Sequence, residues 1–111
     1  MGRGDHLGEL EAMVLAAVVR VGTDANGVAV YEEIEARTGR EARLPAIHVT
    51  LRRLEEKGLL TSELGSPSSR GGRPRRFYTP TPSGLTALLD FRRAWESLWR
   101  GMRIPNPEAL Q

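Results

Sequence analysis

Residues 44–79 read LPAIHVTLRRLEEKGLLTSELGSPSSRGGRPRRFYT. The opening part, 45–57, has the periodicity of an amphipathic helix. Ile47, Leu51 and Leu54 recur at steps of three and four, while Val49, Arg52, Arg53 and Glu56 fall on the other side. Pro45 suits the first turn, where the amide proton it lacks has no helical partner. Lys57-Gly58 ends the run. Two strand-like stretches follow, 59–64 and 76–79, joined by 66–75, which holds Gly, Pro, Ser and Arg but no apolar residue. A helix followed by a β-hairpin with a basic tip is the layout of a winged helix, and the tip is expected to be mobile.

Working outward, 7–21 (LGELEAMVLAAVVRV) predicts a helix with Leu7, Leu10, Val14, Ala17, Val18 and Val21 at helical spacing. A turn at 22–27 leads to a second helix, 27–38, with Val30, Tyr31 and Ile34 on one face and Gly39 as its stop. Beyond the hairpin, Thr81-Pro82 is an N-cap followed by proline at the first helical position. The helix it opens is expected to run to about residue 103. Leu85, Leu88, Leu89, Trp95, Trp99 and Met102 share one broad face of it. Ile104-Pro105-Asn106-Pro107 closes it. The expected fold class is therefore α+β, mostly helical: a winged helix-turn-helix over 1–81, a C-terminal dimerisation helix over 82–104 and a frayed tail over 105–111.

The composition narrows the chemistry. A chain of 111 residues fits one small domain, with a core modest enough that sharing it between copies would help. There is no Cys, hence no disulfide, thiol nucleophile or Cys-based metal site. Asp5-His6 is a poor metal pair in a chain with only two His. No Ser/His/Asp set or phosphate-cradling glycine loop is visible, so neither catalysis nor a cofactor is expected. Asp90 and Glu96 read as solvent-facing. No apolar stretch approaches the ~20 residues of a membrane span, and the first residues lack the apolar core of a signal peptide. No membrane association is expected, and a cytoplasmic location is.

Net charge is only +2 but unevenly placed. From Arg43 to Arg76 there are eight basic and three acidic residues, a local +5 that leaves the remainder at −3. One basic face on an acidic body is the footprint of a nucleic-acid binder. Within it, helix 45–57 presents His48, Val49, Arg52 and Arg53 outward, with Pro45 and Ala46 at its start. A recognition helix reads base edges from its N-terminal half, and Arg pairs bidentately with guanine. Taken alone, the same pattern also describes a solvated face with Arg52 paired to Glu56. Arg70, Arg73, Arg75 and Arg76 sit among Gly71, Gly72 and Pro74, where they can neutralise phosphates with release of counterions. Trp95 and Trp99, four residues apart, either pack in a core or line a pocket for a flat ligand, and a dimer seam accommodates both.

LGELEAMVLAAV, GVAVYEEIEARTG, AIHVTLRRLEEKGLL and RGGRPRRFYTPTPSGLTAL occur in this order, and together this run resembles the PadR family of bacterial transcriptional regulators over roughly three-quarters of the chain. The resemblance implies a homodimeric repressor that binds a near-palindromic DNA operator. It also implies dimerisation through the last helix, often against the first. With one C-terminal helix the chain looks like the short-tailed branch, some members of which bind planar drugs at the dimer centre through Trp of that helix. The family usually has Tyr where this chain has His48. That Tyr commonly touches the DNA backbone, and a ring N–H is what His48 offers instead.

The expectation is a sequence-specific DNA-binding regulator: a homodimer on double-stranded operator DNA, acting as a repressor, with a small planar aromatic effector. The alternatives are a winged helix used for protein–protein contact, which has no need of a basic wing, and an RNA-binding or architectural protein with little sequence preference.

Overall fold

The computed structural model describes residues 6–65 and 74–110. Helix α1, Glu9–Val21, begins where the Gly8 N–H donates to Glu11 Oε1 at 2.9 Å. Asn26 then caps α2, Gly27–Thr38, its side-chain oxygen accepting from the Ala29 N–H at 2.9 Å. Helix α3, Leu44–Glu56, carries Pro45 in its first turn as the sequence predicts. Strands β1, Leu60–Leu64, and β2, Arg76–Pro80, form an antiparallel hairpin in which Leu60 faces Pro80, Ser62 faces Tyr78 and Leu64 faces Arg76. Helix α4, Pro82–Trp99, starts at Thr81, whose hydroxyl accepts from the Gly84 N–H at 3.0 Å and donates to the Gly58 carbonyl at 2.7 Å.

The core lies where α1 is gripped from both sides. α1 packs on α2 and α3 across one face and on α4 across another. Leu15, Val18, Val30, Ile47, Leu51 and Leu54 are fully enclosed at this junction. Burying each such side chain contributes about 1.5–3 kcal/mol relative to exposure. The stripe Ile47, Leu51 and Leu54 is the one the spacing predicts. It is widened by Thr50, which is buried because its hydroxyl donates to the Ala46 carbonyl at 2.7 Å. On α1 the predicted stripe is incomplete. Leu10 stays 37% exposed, while Leu15 and Ala12, outside that stripe, are buried, because a helix held on two sides does not bury a single face.

The hairpin is anchored at three points. The Tyr78 N–H donates to the Ala25 carbonyl at 2.9 Å, joining β2 to the turn before α2. The Thr81 N–H donates to the Leu59 carbonyl at 3.1 Å. Gly84 lies directly over Leu59: a Cβ on Gly84 would stand 2.1 Å from the Leu59 carbonyl oxygen, so only glycine lets α4 leave the hairpin at this angle.

One element is shorter than the spacing predicts. α4 ends at Trp99, not near residue 103, because Arg100 turns to extended backbone and Gly101 takes φ 75° before Pro105. Met102 therefore lies outside the helix. The tail makes a short 3-10 turn, Pro107–Leu110, in which the Asn106 side-chain oxygen accepts from the Glu108 N–H at 3.0 Å. The wing loop 66–73, with Arg70 and Arg73 and the mobility expected of it, lies outside the described residues.

Candidate nucleic-acid interface and helix groove

Two surfaces stand out, on opposite sides of α1. The first is the outer side of α3. Pro45, His48, Val49, Arg52 and Arg53 are all exposed, Val49 by 50%, and Ala46 is half-buried. Among the described residues no carboxylate pairs with Arg52 or Arg53, so the Arg52–Glu56 pairing that a merely solvated face suggests does not form. The five residues are not equivalent. Arg53 acts electrostatically on Glu11 and so flanks α1, whereas Arg52 acts on Tyr78 and so flanks the hairpin. His48 leans towards α2, its imidazole lying against Gly27.

The hairpin is tied to α3 by a polar chain. Arg76 Nη1 donates to Ser62 Oγ at 3.0 Å, and Ser62 Oγ donates to Glu55 Oε2 at 2.7 Å. Arg76 is thus exposed yet partly engaged within the chain, while Arg75 beside it is exposed. Tyr78 lies beneath this chain. Burial first, and then the Glu55 carboxylate, push its phenol above the ordinary value.

At the far end of α3, Lys57 Nζ donates to Glu11 Oε2 at 2.8 Å and to the His6 carbonyl at 3.3 Å. Burial acts to raise the Glu11 carboxyl. The Lys57 ammonium, the Gly8 N–H and the Arg53 charge more than offset it and hold the group below its ordinary value. On α2, Glu33 accepts from Arg20 at 2.9 Å and Arg37 at 3.0 Å and is likewise lowered. These exposed pairs orient side chains more than they stabilise the fold.

The second surface is an open apolar groove of about 750 Å³ between α1 and α4. Leu85, Leu88, Leu89 and Trp95 line it, as the sequence reading of that face leads one to expect, and Trp99 and Met102 do not. The opposite wall is Ala12, Met13, Ala16 and Val19 of α1, with Arg20 and Arg92 at its rim. Phe91 also lines the groove and was not among the residues singled out. Its spacing of four from Trp95 is the signal that identifies it. The rings form a ladder: Phe91 and Trp95 centroids are 5.9 Å apart and tilted, Trp95 and Trp99 centroids 6.3 Å apart and stacked. Every residue from Arg92 to Ala109 is exposed, Leu98 by 74%. Among the described residues no cluster of His, Asp or Glu could hold a metal ion, and no single helix is long and apolar enough to cross a membrane.

Three helices, a two-stranded wing and a further C-terminal helix define a winged-helix protein with an appended helix. The model of the transcriptional regulator PadR-like family matches residues 14–90, and the chain belongs to that family, one of regulators and not of enzymes. It is 39% identical over 77 residues to transcriptional regulator Rv3488 of Mycobacterium tuberculosis, a match covering 69% of this chain and 68% of that one. Among solved structures, a PadR family regulator of Clostridium difficile aligns with a TM-score of 0.72 at 20% identity, over 84% of this chain and 93% of that one. One of Eggerthella lenta gives 0.66 at 29% identity, over 84% and 81%. Bacillus subtilis PadR, solved in complex with operator DNA, gives 0.64 at 22% identity over 90% of this chain, which spans 51% of it.

Proposed function

We propose that the chain is a homodimeric, sequence-specific DNA-binding repressor of the cytoplasm. Residues 1–81 serve as the reading domain, 82–104 as the dimerising segment and 105–111 as a tail. The observation that carries this reading is the outer face of α3, where Arg52 and Arg53 have no carboxylate partner among the described residues and stand beside a basic hairpin. Unpaired guanidinium groups on a rigid helix are what bidentate base or phosphate contact requires. His48, Val49, Arg52 and Arg53 face the major groove, with Pro45 and Ala46 at the helix start. Arg70, Arg73, Arg75 and Arg76 lie on phosphates or in the flanking minor groove. That Bacillus subtilis PadR binds operator DNA with the same fold supports this assignment.

The groove supports the dimer. Leu85 and Leu89 of α4 and Val19 of α1 are exposed large apolar residues along one continuous surface. Pairing them about a twofold axis removes that surface from water. The groove volume is in the range of small-molecule sites, and Trp95 offers a flat apolar wall, so a planar aromatic effector fits the same seam.

Selection of duplexes from a random pool by the wild-type chain tests the reading. The expected product is a near-palindrome bound at least about a thousandfold more tightly than scrambled DNA. Enrichment of no sequence, with equal binding to all duplexes, points instead to an architectural or RNA-binding role.

A further inference from the structure

Gly27 opens α2 and is buried, and its backbone does not call for glycine: it is not among the residues with positive φ. What distinguishes the position is the space above it. A Cβ built on Gly27 would lie 2.3 Å from His48 Cε1, 2.8 Å from Nδ1 and 3.2 Å from Nε2. These three atoms are the nitrogen-bearing edge of the imidazole. The ring of a residue on the exposed side of α3 therefore rests edge-on against the bare Cα of α2's first residue. Its neighbours on that side, Val49 and Arg52, have no comparable support.

We infer that Gly27 is a positioning residue for DNA binding, its missing side chain forming the seat that fixes the His48 ring at the edge of the α3 reading face. The inference rests on the DNA-binding function proposed above. An exposed histidine on a helix samples several rotamers, and ordering it on contact with DNA opposes binding. A ring already seated between the two helices meets the duplex in one orientation. The seat also sets the ring's distance from α2, so α2 and α3 approach the duplex as one unit. A methyl group at position 27 meets only the far end of a movable side chain, so the ring swings out and the backbone stays. Alanine is also the better helix former. Gly27→Ala should therefore leave the melting temperature unchanged or raise it while weakening DNA binding, a combination that a purely structural glycine does not give.

The test uses the full chain and a duplex that the wild type has selected from a random pool, with Gly27→Ala, His48→Ala, the double variant and Arg52→Ala. Expected is a loss of about tenfold in affinity for Gly27→Ala, the size of one lost polar contact. His48→Ala should lose a similar factor, and the double variant no more than either alone. Histidine ring signals in a carbon-13 NMR spectrum should shift on Gly27→Ala with the amide spectrum of the core unchanged. Additive losses in the double variant, or a lowered melting temperature with unmoved ring signals, would overturn the inference. So would a neutral His48→Ala beside a weakened Arg52→Ala, which leaves the DNA-binding reading standing. A wild type that selects no duplex defeats that reading and the inference with it.

Discussion

Lys57 and Glu11 join the end of α3 to the first turn of α1 through an ion pair of 2.8 Å, with side chains only 25% and 10% exposed. α1 also supplies one wall of the groove, so a single helix touches both the end of α3 and the proposed dimer seam. The pair is the most enclosed of the chain's ion pairs among the described residues. Its removal should therefore be felt, whereas exposed pairs such as Arg92–Glu96 should hardly matter.

The Glu11 carboxyl is held below its ordinary value of 4.5, so the folded state binds its proton less readily than the unfolded chain does. Its contribution to stability is complete above 4.5 and is lost as pH falls through the lowered folded value. Urea unfolding of the wild type between pH 7 and pH 3 should show this loss. Lys57→Met should be about 1–3 kcal/mol less stable at pH 7 and should show a shallower acid dependence. Equal acid dependence in both proteins would remove Glu11 from the explanation.

Gly84→Ala is expected to be among the most damaging single-methyl additions, because its Cβ would meet backbone and not a movable side chain. Overpacking of this kind costs typically ~1–3 kcal/mol. Calorimetry should register a fall in melting temperature of several degrees. An unchanged melting temperature would mean that α4 does not lie on Leu59 as described.

Sedimentation tests the seam. Leu89→Asp, facing the groove from α4, and Val19→Asp, facing it from α1, should each turn a micromolar dimer into a monomer that remains folded by circular dichroism. Leu64→Asp, equally exposed but on the hairpin, should leave the dimer intact. A dimer that survives both groove changes lies elsewhere on the surface.

The two Trp residues should respond differently to a planar aromatic dye. Trp95 lines the groove, and Trp99 only stacks on Trp95. Quenching of Trp fluorescence at micromolar dye should be abolished in Trp95→Ala and only weakened in Trp99→Ala. Equal loss in both would place the dye along the exposed end of α4, outside the groove.

The winged-helix layout is legible in the sequence because 44–79 changes period from 3.6 to 2 at Gly58 and back again at Pro82. The buried stripe of α3 is legible for the same reason. α1 is not, because it is apolar nearly all round, and periodicity cannot say which neighbour covers which side. That is why Leu15 and the groove wall Ala12, Met13, Ala16 and Val19 emerge only from the packing. The end of α4 was misread because Met102 keeps the helical spacing although Gly101 has already broken the helix. Contacts between residues far apart in the chain, such as Gly27 with His48 and Glu11 with Lys57, leave no local trace in a single sequence.

Binding of wild type, Arg52→Ala and Arg75→Ala to selected and scrambled duplexes across a salt series tests the central claim most directly. Arg75→Ala should weaken both duplexes alike and lower the salt slope by about one unit, the mark of a lost phosphate contact. Arg52→Ala should cost ~1–3 kcal/mol on the selected duplex alone and relax its preference at one position in each half-site. Half-sites should lie ~34–36 Å apart or a multiple of it, as a twofold dimer on one face of the duplex requires. Full binding of the selected duplex by a variant lacking Arg52, Arg53, Arg75 and Arg76 would contradict the account.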